Sequence, residues 1–382
     1  MVTLRRAFLN PLWILLLLPG YVSWRLLPAL SVGPVGIFAG IALLIAFSIV
    51  IPLAVRNRAI RSPIVKDLLA WAGVLSMGFF SSLFVFTLLR DFFLLIAHGL
   101  SAPMAASWVV PSARWTLALT LLVTVAGLVV ARSRPRIVDV DIPVNGLPKG
   151  LHGFSIAQIS DMHVGSTIKR GFVEKVVALA NGLKTDLIAV TGDLVDGSVQ
   201  QLSRHTAPLA GLTAPHGVYF VTGNHEYYSG EPAWTAEIRR LGLRVLKNEH
   251  VVLTHNGASL VLAGVTDYSA RHFDSAERSD PAAALRGSPA DAGARILLAH
   301  QPSSATAAAS AGFDVQLSGH THGGQFWPWN LFVGFFQPFT GGLHRLKNLW
   351  VYVSRGTGYW GPPNRFGVPS EVTRIRLVPA TP

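Results

Sequence analysis

In the second half of this 382-residue chain, five short apolar runs each end in side chains that can bind a metal. Residues 154–160 (FSIAQIS) lead into Asp161-Met162-His163, and 186–191 (DLIAVT) into Gly192-Asp193. Residues 218–222 (VYFVT) lead into Gly223-Asn224-His225-Glu226, and 295–299 (RILLA) into His300. Residues 314–318 (DVQLS) lead into Gly319-His320-Thr321-His322-Gly323-Gly324. Asp, Asn and His are hard-to-borderline donors, suited to Mn²⁺, Fe or Zn²⁺ rather than to copper or an iron–sulfur cluster. Asp161 and His163 flank one residue, so an extended backbone entering a loop lets both reach the same ion. The donors Asp161, His163, Asp193, Asn224, His300, His320 and His322 are too many for one tetrahedral ion and suit two. Two ions about 3.5–4 Å apart need a shared carboxylate, and Asp193 is the natural bridge. Such a pair holds a bridging hydroxide as nucleophile and clamps an in-line phosphoryl displacement.

The elements that must position these donors are strands. The runs are short and apolar, broken by polar clusters, with a helical pattern near 171–183 and later strands at 349–354 and 372–377. That alternation predicts a layered α/β domain with mixed sheets. Loops of open α/β sheets converge beyond the carboxyl ends of the strands, so five clusters at equivalent edges can meet in one pocket. Glycines 192, 223, 319 and 323 stand beside proposed donors, where the chain must turn sharply. Eight of the 13 His, among them His98, His205, His255 and His344, lie outside this grammar. The chain has no Cys, which excludes disulfides, a thiolate nucleophile and a zinc–thiolate site.

The series DMH, GD, GNHE, H and GHTHGG resembles the calcineurin-like metallophosphoesterases over about residues 150–360. The apolar N-terminus, the GHTHGGQ form and the segment SRGTGYWGPP at 354–363 look like the membrane branch, described as transmembrane proteins with a metallophosphoesterase domain. The resemblance implies a four-layer α/β sandwich with two helix-covered sheets. It implies one divalent metal on Asp161, His163, Asp193 and His322, and a second on Asp193, Asn224, His300 and His320. Mn²⁺ is the first expectation, with Fe or Zn²⁺ sharing these donors. His225 matches the family's acid, protonating the leaving oxygen, a role worth roughly 10²–10⁴ in rate. Glu226 is expected to orient His225 or a loop. Some relatives hydrolyse UDP-2,3-diacylglucosamine in lipid A biosynthesis, so the implied substrate is a phosphodiester or pyrophosphate in a lipid or lipid precursor. The alternatives are a tethered phosphodiesterase on a soluble nucleotide, and a non-catalytic membrane scaffold that keeps the fold.

The first third has a different texture. Half of all residues are hydrophobic, only 14% are charged and mean hydropathy is +0.42, which excludes a disordered chain. Four apolar stretches, about 8–24, 32–55, 68–89 and 115–131, match the length that crosses about 30 Å of hydrocarbon. The expected division is therefore a four-helix anchor over 1–134 and a metallophosphoesterase domain over 135–382. Arg90 and Asp91 follow the third stretch and precede another apolar run, so that helix is either long and tilted or carries an interfacial extension. Residues 1–134 hold 11 Lys+Arg against 2 Asp+Glu, which accounts for most of the net charge of +12. This excess sits between apolar runs rather than on a folded face, so no nucleic-acid partner is expected. Arg5 and Arg6, the group Arg56, Arg58, Arg61 and Lys66, and the group Arg132, Arg134 and Arg136 read as cytoplasmic ends. The expectation is a bacterial-type inner or cytoplasmic membrane, four crossings, and a cytoplasmic catalytic domain. The Arg-Arg pair also loosely resembles an export signal, without a clear cleavage site after it.

Two features are open on sequence alone. Arg355 and Arg365 flank the turn 356–363 and could hold a substrate phosphate or form surface ion pairs. The aromatic segment 326–339 is either a lip that dips into the bilayer or a cap packed on its own domain.

Overall fold

The computed structural model describes residues 11–55 and 62–380. The chain divides into two units, residues 1–129 with 361–364 and residues 130–360 with 365–382. In the first unit, long apolar runs form helices that tolerate Pro19, Pro52 and Pro111: α1 (Pro11–Leu26), α2 (Gly33–Val55), α3 (Pro63–Leu100) and α4 (Ala102–Arg132). Three of these are long and apolar enough to cross a membrane, over Gly33–Ala54, Ile64–Leu100 and Ala102–Arg132. The expected four spans thus become three among the described residues. The first expected stretch, about 8–24, begins outside the described residues; its described part, α1, has 16 residues and encloses Pro19, about 24 Å at 1.5 Å per residue.

The third apolar stretch and its extension are one 38-residue helix, α3. Its charged pair is tolerated because both members are satisfied inside the unit. Asp91 accepts from Arg25 Nε at 2.6 Å and Tyr21 Oη at 2.6 Å, while Arg90 Nε donates to Ser112 Oγ at 3.0 Å. Arg5, Arg6, Arg56, Arg58 and Arg61 lie outside the described residues.

In the second unit, period-two alternation decides the layers. The strands are β1 (Arg136–Val144), β2 (Ser155–Ile159), β3 (Leu187–Val190), β4 (Val218–Phe220), β5 (Arg244–Val245), β6 (Glu249–His255), β7 (Ala258–Gly264), β8 (Ala294–Leu298), β9 (Val315–Ser318), β10 (Gly342–Leu346), β11 (Leu349–Val353) and β12 (Glu371–Pro379). One sheet has the order β1-β12-β2-β3-β4-β5, the other β10-β11-β9-β8-β7-β6. Both are mixed: β2 to β5 and β7 to β9 run parallel, whereas β12 pairs antiparallel with β2 and β6 with β7. Ile156, Leu187 and Ala189 of the first sheet share one core with Leu262, Ile296 and Leu317 of the second, so the sheets pack face to face.

Helix α7 (Asn224–Ser229) follows β4, and the intervening residues Ile159, Ile188 and Val190 point the other way, against α5 (Arg170–Gly182), α6 (Val199–Thr206) and α8 (Glu231–Arg240), through Val173, Val176, Leu202, Trp234 and Ile238. Leu297 and Val351 cover the far face of the second sheet with Ala284 of α9 (Pro281–Ala284) and Ala308 of α10 (Ala305–Ala311). This is the expected four-layer α/β sandwich. The carboxyl ends of β2, β3, β4, β8 and β9 carry the five donor clusters.

Candidate metal centre

The loops after β2 and β3 are paired beyond the sheet. Asp161 N donates to Gly192 O at 3.0 Å, His163 N to Asp193 O at 3.1 Å, and Val164 N to Leu194 O at 2.8 Å. Val164 and Val195 then form a parallel bridge, and Asp196 N returns to Val164 O at 2.9 Å. The pairing aims four polar side chains, Asp161, His163, Asp193 and Asp196, into one region. Asp161, His163, Asp193, His320 and His322 have φ of 54°, 51°, 53°, 70° and 51°. Left-handed backbone at five non-glycine positions is held by its surroundings and clusters where function demands it.

Two glycines are fixed by close approach. A Cβ on Gly223 would meet Asp193 Oδ1 at 2.2 Å, and one on Gly319 would meet Ser160 Oγ at 2.0 Å and Asp161 Oδ2 at 2.1 Å. Helix α7 is tied to the β3 loop by Glu226, whose carboxylate accepts from the backbone of Gly223 at 2.6 Å, Leu194 at 2.7 Å and Asp193 at 3.0 Å. Asp193 Oδ1 in turn accepts from His225 N at 2.9 Å.

Six of the seven expected donors fall into compact groups, and Asn224 opens α7 beside them in the chain. Asp161, His163 and His322 form one compact triad, Asp193, His300 and His320 another, and a third joins His163 and Asp193 to His225. His163 Nε2 and His322 Nε2 are 3.0 Å apart on stacked rings. His300 Nε2 is 3.1 Å from Asp193 Oδ2. His300 Nδ1 is 2.8 Å from the Thr191 carbonyl, which can only accept, so Nδ1 carries a proton and Nε2 faces inward. Burial opposes charge on this ring, but Asp193 and Asp161 hold it well above its usual range, so a cation bound at Nε2 displaces a proton. Asp161 Oδ2, Asn224 Oδ1 and His300 Nε2 are buried yet make no hydrogen bond. Buried polar atoms are ordinarily satisfied, so three such atoms on proposed donors fit a site built for cations.

Electrostatics agree with that fit. Burial and the neighbouring His300 push His320 down to about 3. Burial and the Arg365 guanidinium hold His322 well below its usual range. Both rings are therefore neutral, the form a metal requires. Burial opposes charge on Asp193, but His300, His225 and His163 outweigh it and hold the carboxyl well below the usual range.

Sequence reasoning missed Asp196, which acts on other side chains. Its carboxylate accepts from His225 Nδ1 at 2.5 Å and His163 Nδ1 at 3.2 Å, leaving Nε2 of each ring toward the site. The readable signal was Leu194-Val195, an apolar pair that carries the chain back under His163. Buried Asp267, in the loop after β7, was missed too; it accepts from Gln301 Nε2 at 3.0 Å.

The two arginines expected at the substrate phosphate are placed otherwise. Arg365 is fully buried and donates to the carbonyls of Gly358, His322 and Arg355, with Nη2 2.9 Å from His322 Nδ1. Its N–H groups hold the His322 loop and are not presented to a ligand. Arg355 pairs with Glu371 at 3.2 Å.

Residues 154–324 match the family described as calcineurin-like phosphoesterase. A Danio rerio protein named transmembrane protein with metallophosphoesterase domain is 36% identical over 304 residues, covering 77% of this chain and 69% of its own. A Bos taurus protein of the same name is 38% identical over 271 residues, 68% of this chain and 61% of its own. An uncharacterized metallophosphoesterase of Helicobacter pylori is 38% identical over 250 residues, 65% of each chain. Among solved structures, Haemophilus influenzae NAD nucleotidase aligns over 53% of this chain and 50% of its own, with 18% identity and a TM-score of 0.35.

Proposed function

The chain belongs to the calcineurin-like phosphoesterase family of metal-dependent phosphoester hydrolases, and we propose that it hydrolyses a phosphodiester or pyrophosphate bond in a membrane lipid or lipid precursor, such as UDP-2,3-diacylglucosamine. In this reading Asp161, His163, Asp193 and His322 hold one divalent cation, and Asp193, Asn224, His300 and His320 the other, with Mn²⁺ as the expected metal. The observation that carries it is the pair of compact triads Asp161-His163-His322 and Asp193-His300-His320, in which Asp161 Oδ2 and His300 Nε2 are buried without a hydrogen bond. When bound, two such cations polarise the phosphoryl oxygens and make water a nucleophile at neutral pH.

The chain's own residues do the rest. His225 is partly exposed at the edge of the donor cluster, with Nε2 3.9 Å from Asp193 Oδ2 and Nδ1 donating to Asp196. Held in that orientation, it protonates the departing oxygen from Nε2. Glu226 keeps the loops carrying Asp193 and Asn224 together, and Arg365 keeps the His322 ring neutral and in place.

A membrane substrate is supported by the three apolar helices of spanning length. The catalytic half is assigned to the cytoplasmic side of a bacterial-type inner membrane. Arg132 ends the last span, with Arg134 and Arg136 after it, and Arg56, Arg58 and Arg61 fall between the first and second of the three spans, with Lys66 in the first turn of the second. That assignment holds whether or not α1 crosses.

The test is hydrolysis by the reconstituted full chain of UDP-2,3-diacylglucosamine and bis-p-nitrophenyl phosphate, with Mn²⁺, Fe²⁺ or Zn²⁺ added in turn. The expected result is metal-dependent cleavage of both, lost in His225→Ala with the metal content retained. Cleavage of the small ester alone overturns the lipid reading in favour of a soluble nucleotide. No turnover on any ester would leave a scaffold.

A further inference from the structure

The segment after the His320–His322 loop makes two short 3₁₀ turns, Trp329–Leu331 and Val333–Phe335. It is anchored at its base. Asn330 N donates to Phe326 O at 3.2 Å, Trp327 N to Phe366 O at 3.0 Å, and the backbone of Asn330 lies so close to Gly324 that a Cβ there would meet its Cα at 2.2 Å. Phe326 is buried at 6% exposure, which fastens the segment to its own domain. The turns themselves face outward: Leu331 is 63% exposed, Phe335 81% and Phe336 82%, with Trp329 and Phe332 exposed beside them. A cap packed on its own domain would bury these side chains. A contiguous exposed apolar patch of this kind marks a surface built to meet something.

The surrounding charge identifies the partner. From 315 to 370 the chain contains no Asp or Glu, while Arg345 and Lys347 stand exposed within the same run. An apolar, aromatic-rich tip in an acid-free, basic segment suits the boundary between anionic headgroups and acyl chains. The same polypeptide carries three helices of spanning length, so a bilayer is always present at high effective concentration. We propose that residues 329–336 insert into that bilayer and seat the catalytic half on the membrane surface, with the His320–His322 loop directly above the lipid. This concerns where the domain rests and does not depend on which ester is cleaved.

The Cys-free chain supplies a clean test. Phe335→Cys or Phe336→Cys introduces the single thiol, which is labelled with an environment-sensitive fluorophore in the full chain reconstituted into anionic phospholipid vesicles. A second label at exposed Asp291, through Asp291→Cys, serves as the reference. The expected result is quenching by acyl-brominated lipid several-fold greater at 335 or 336 than at 291, and shielding from aqueous iodide. Equal quenching at the two sites, or free access of iodide to the 335 label, overturns the proposal. So does thiol cross-linking between copies at 335, which would make a second chain the occupant. Phe335→Asp with Phe336→Asp should leave the rate on bis-p-nitrophenyl phosphate unchanged while abolishing shielding of a label at Leu331→Cys. Undiminished shielding there also counts against insertion.

Discussion

Asp196 Oδ1 lies 2.5 Å from His225 Nδ1, and the same carboxylate reaches His163 Nδ1 at 3.2 Å. One side chain therefore sets the ring orientation of a proposed metal donor and of the proposed acid together. Asp196→Asn should lower kcat by about 10–100-fold, the usual cost of removing an outer partner of a ligating histidine. KM should change little. Steady-state kinetics with parallel metal analysis checks this, and unchanged kcat would remove Asp196 from the reaction.

Glu226 collects three backbone N–H groups from two loops that both carry donors. Glu226→Gln turns one accepting oxygen into an amide N–H facing those donors. The expected loss is about 1–3 kcal/mol of stability, together with weaker metal binding. Calorimetry of the variant and metal titration read the two effects separately.

Gly319 has no room for a methyl group, since its Cβ would sit 2.1 Å from Asp161 Oδ2. Gly319→Ala must displace Ser160 or Asp161, so the metal should bind poorly. Overpacking of a close-packed site costs about 1–3 kcal/mol. Metal content per chain after dialysis is the measurement, and full occupancy would contradict the close-packing argument.

In chelator-treated protein, burial opposes charge on His225. The Asp196 hydrogen bond and the charges of Asp193, Asp196 and Glu226 outweigh it and raise the imidazole to about 9. The folded value lies above the unfolded one of about 6.5. The charged ring thus contributes stability fully below about pH 6.5, and that contribution is lost as pH rises through about 9. Chelated protein should melt at a lower temperature at about pH 9.5 than at about pH 6.5. His225→Gln should flatten this slope by at most about 3 kcal/mol. Glu226, lifted to about 8 by burial and the Asp193 charge, keeps a residual slope of the same sign.

Why some of this was legible and some not follows from what each residue does. The seven expected donors stand where strands end, and donor chemistry at a strand end survives in one dimension. The alternation of Leu187 and Ala189 with Ile188 and Val190, apolar on both faces, likewise discloses a sheet buried on both sides. Asp196 and Asp267 act through other side chains, so nothing beside them in the chain announces their partners. Arg365 was misread because a guanidinium next to Gly and Pro looks solvent-facing. Only the fold brings it the carbonyls of Gly358, His322 and Arg355. The first stretch, about 8–24, begins outside the described residues, and its described part, the 16-residue α1, is below the length of a span.

Strand β12, at 371–379, is the last in chain order yet lies inside its sheet, between β1 and β2. Its first residue, Glu371, also bonds Tyr352 and the Arg355 backbone. While the ribosome is still making this stretch, the sheet below Asp161 has a missing plank. Assembly of the reaction centre must await synthesis of this strand, and a nascent chain halted before residue 371 should be born inert, however many of its donors had already emerged.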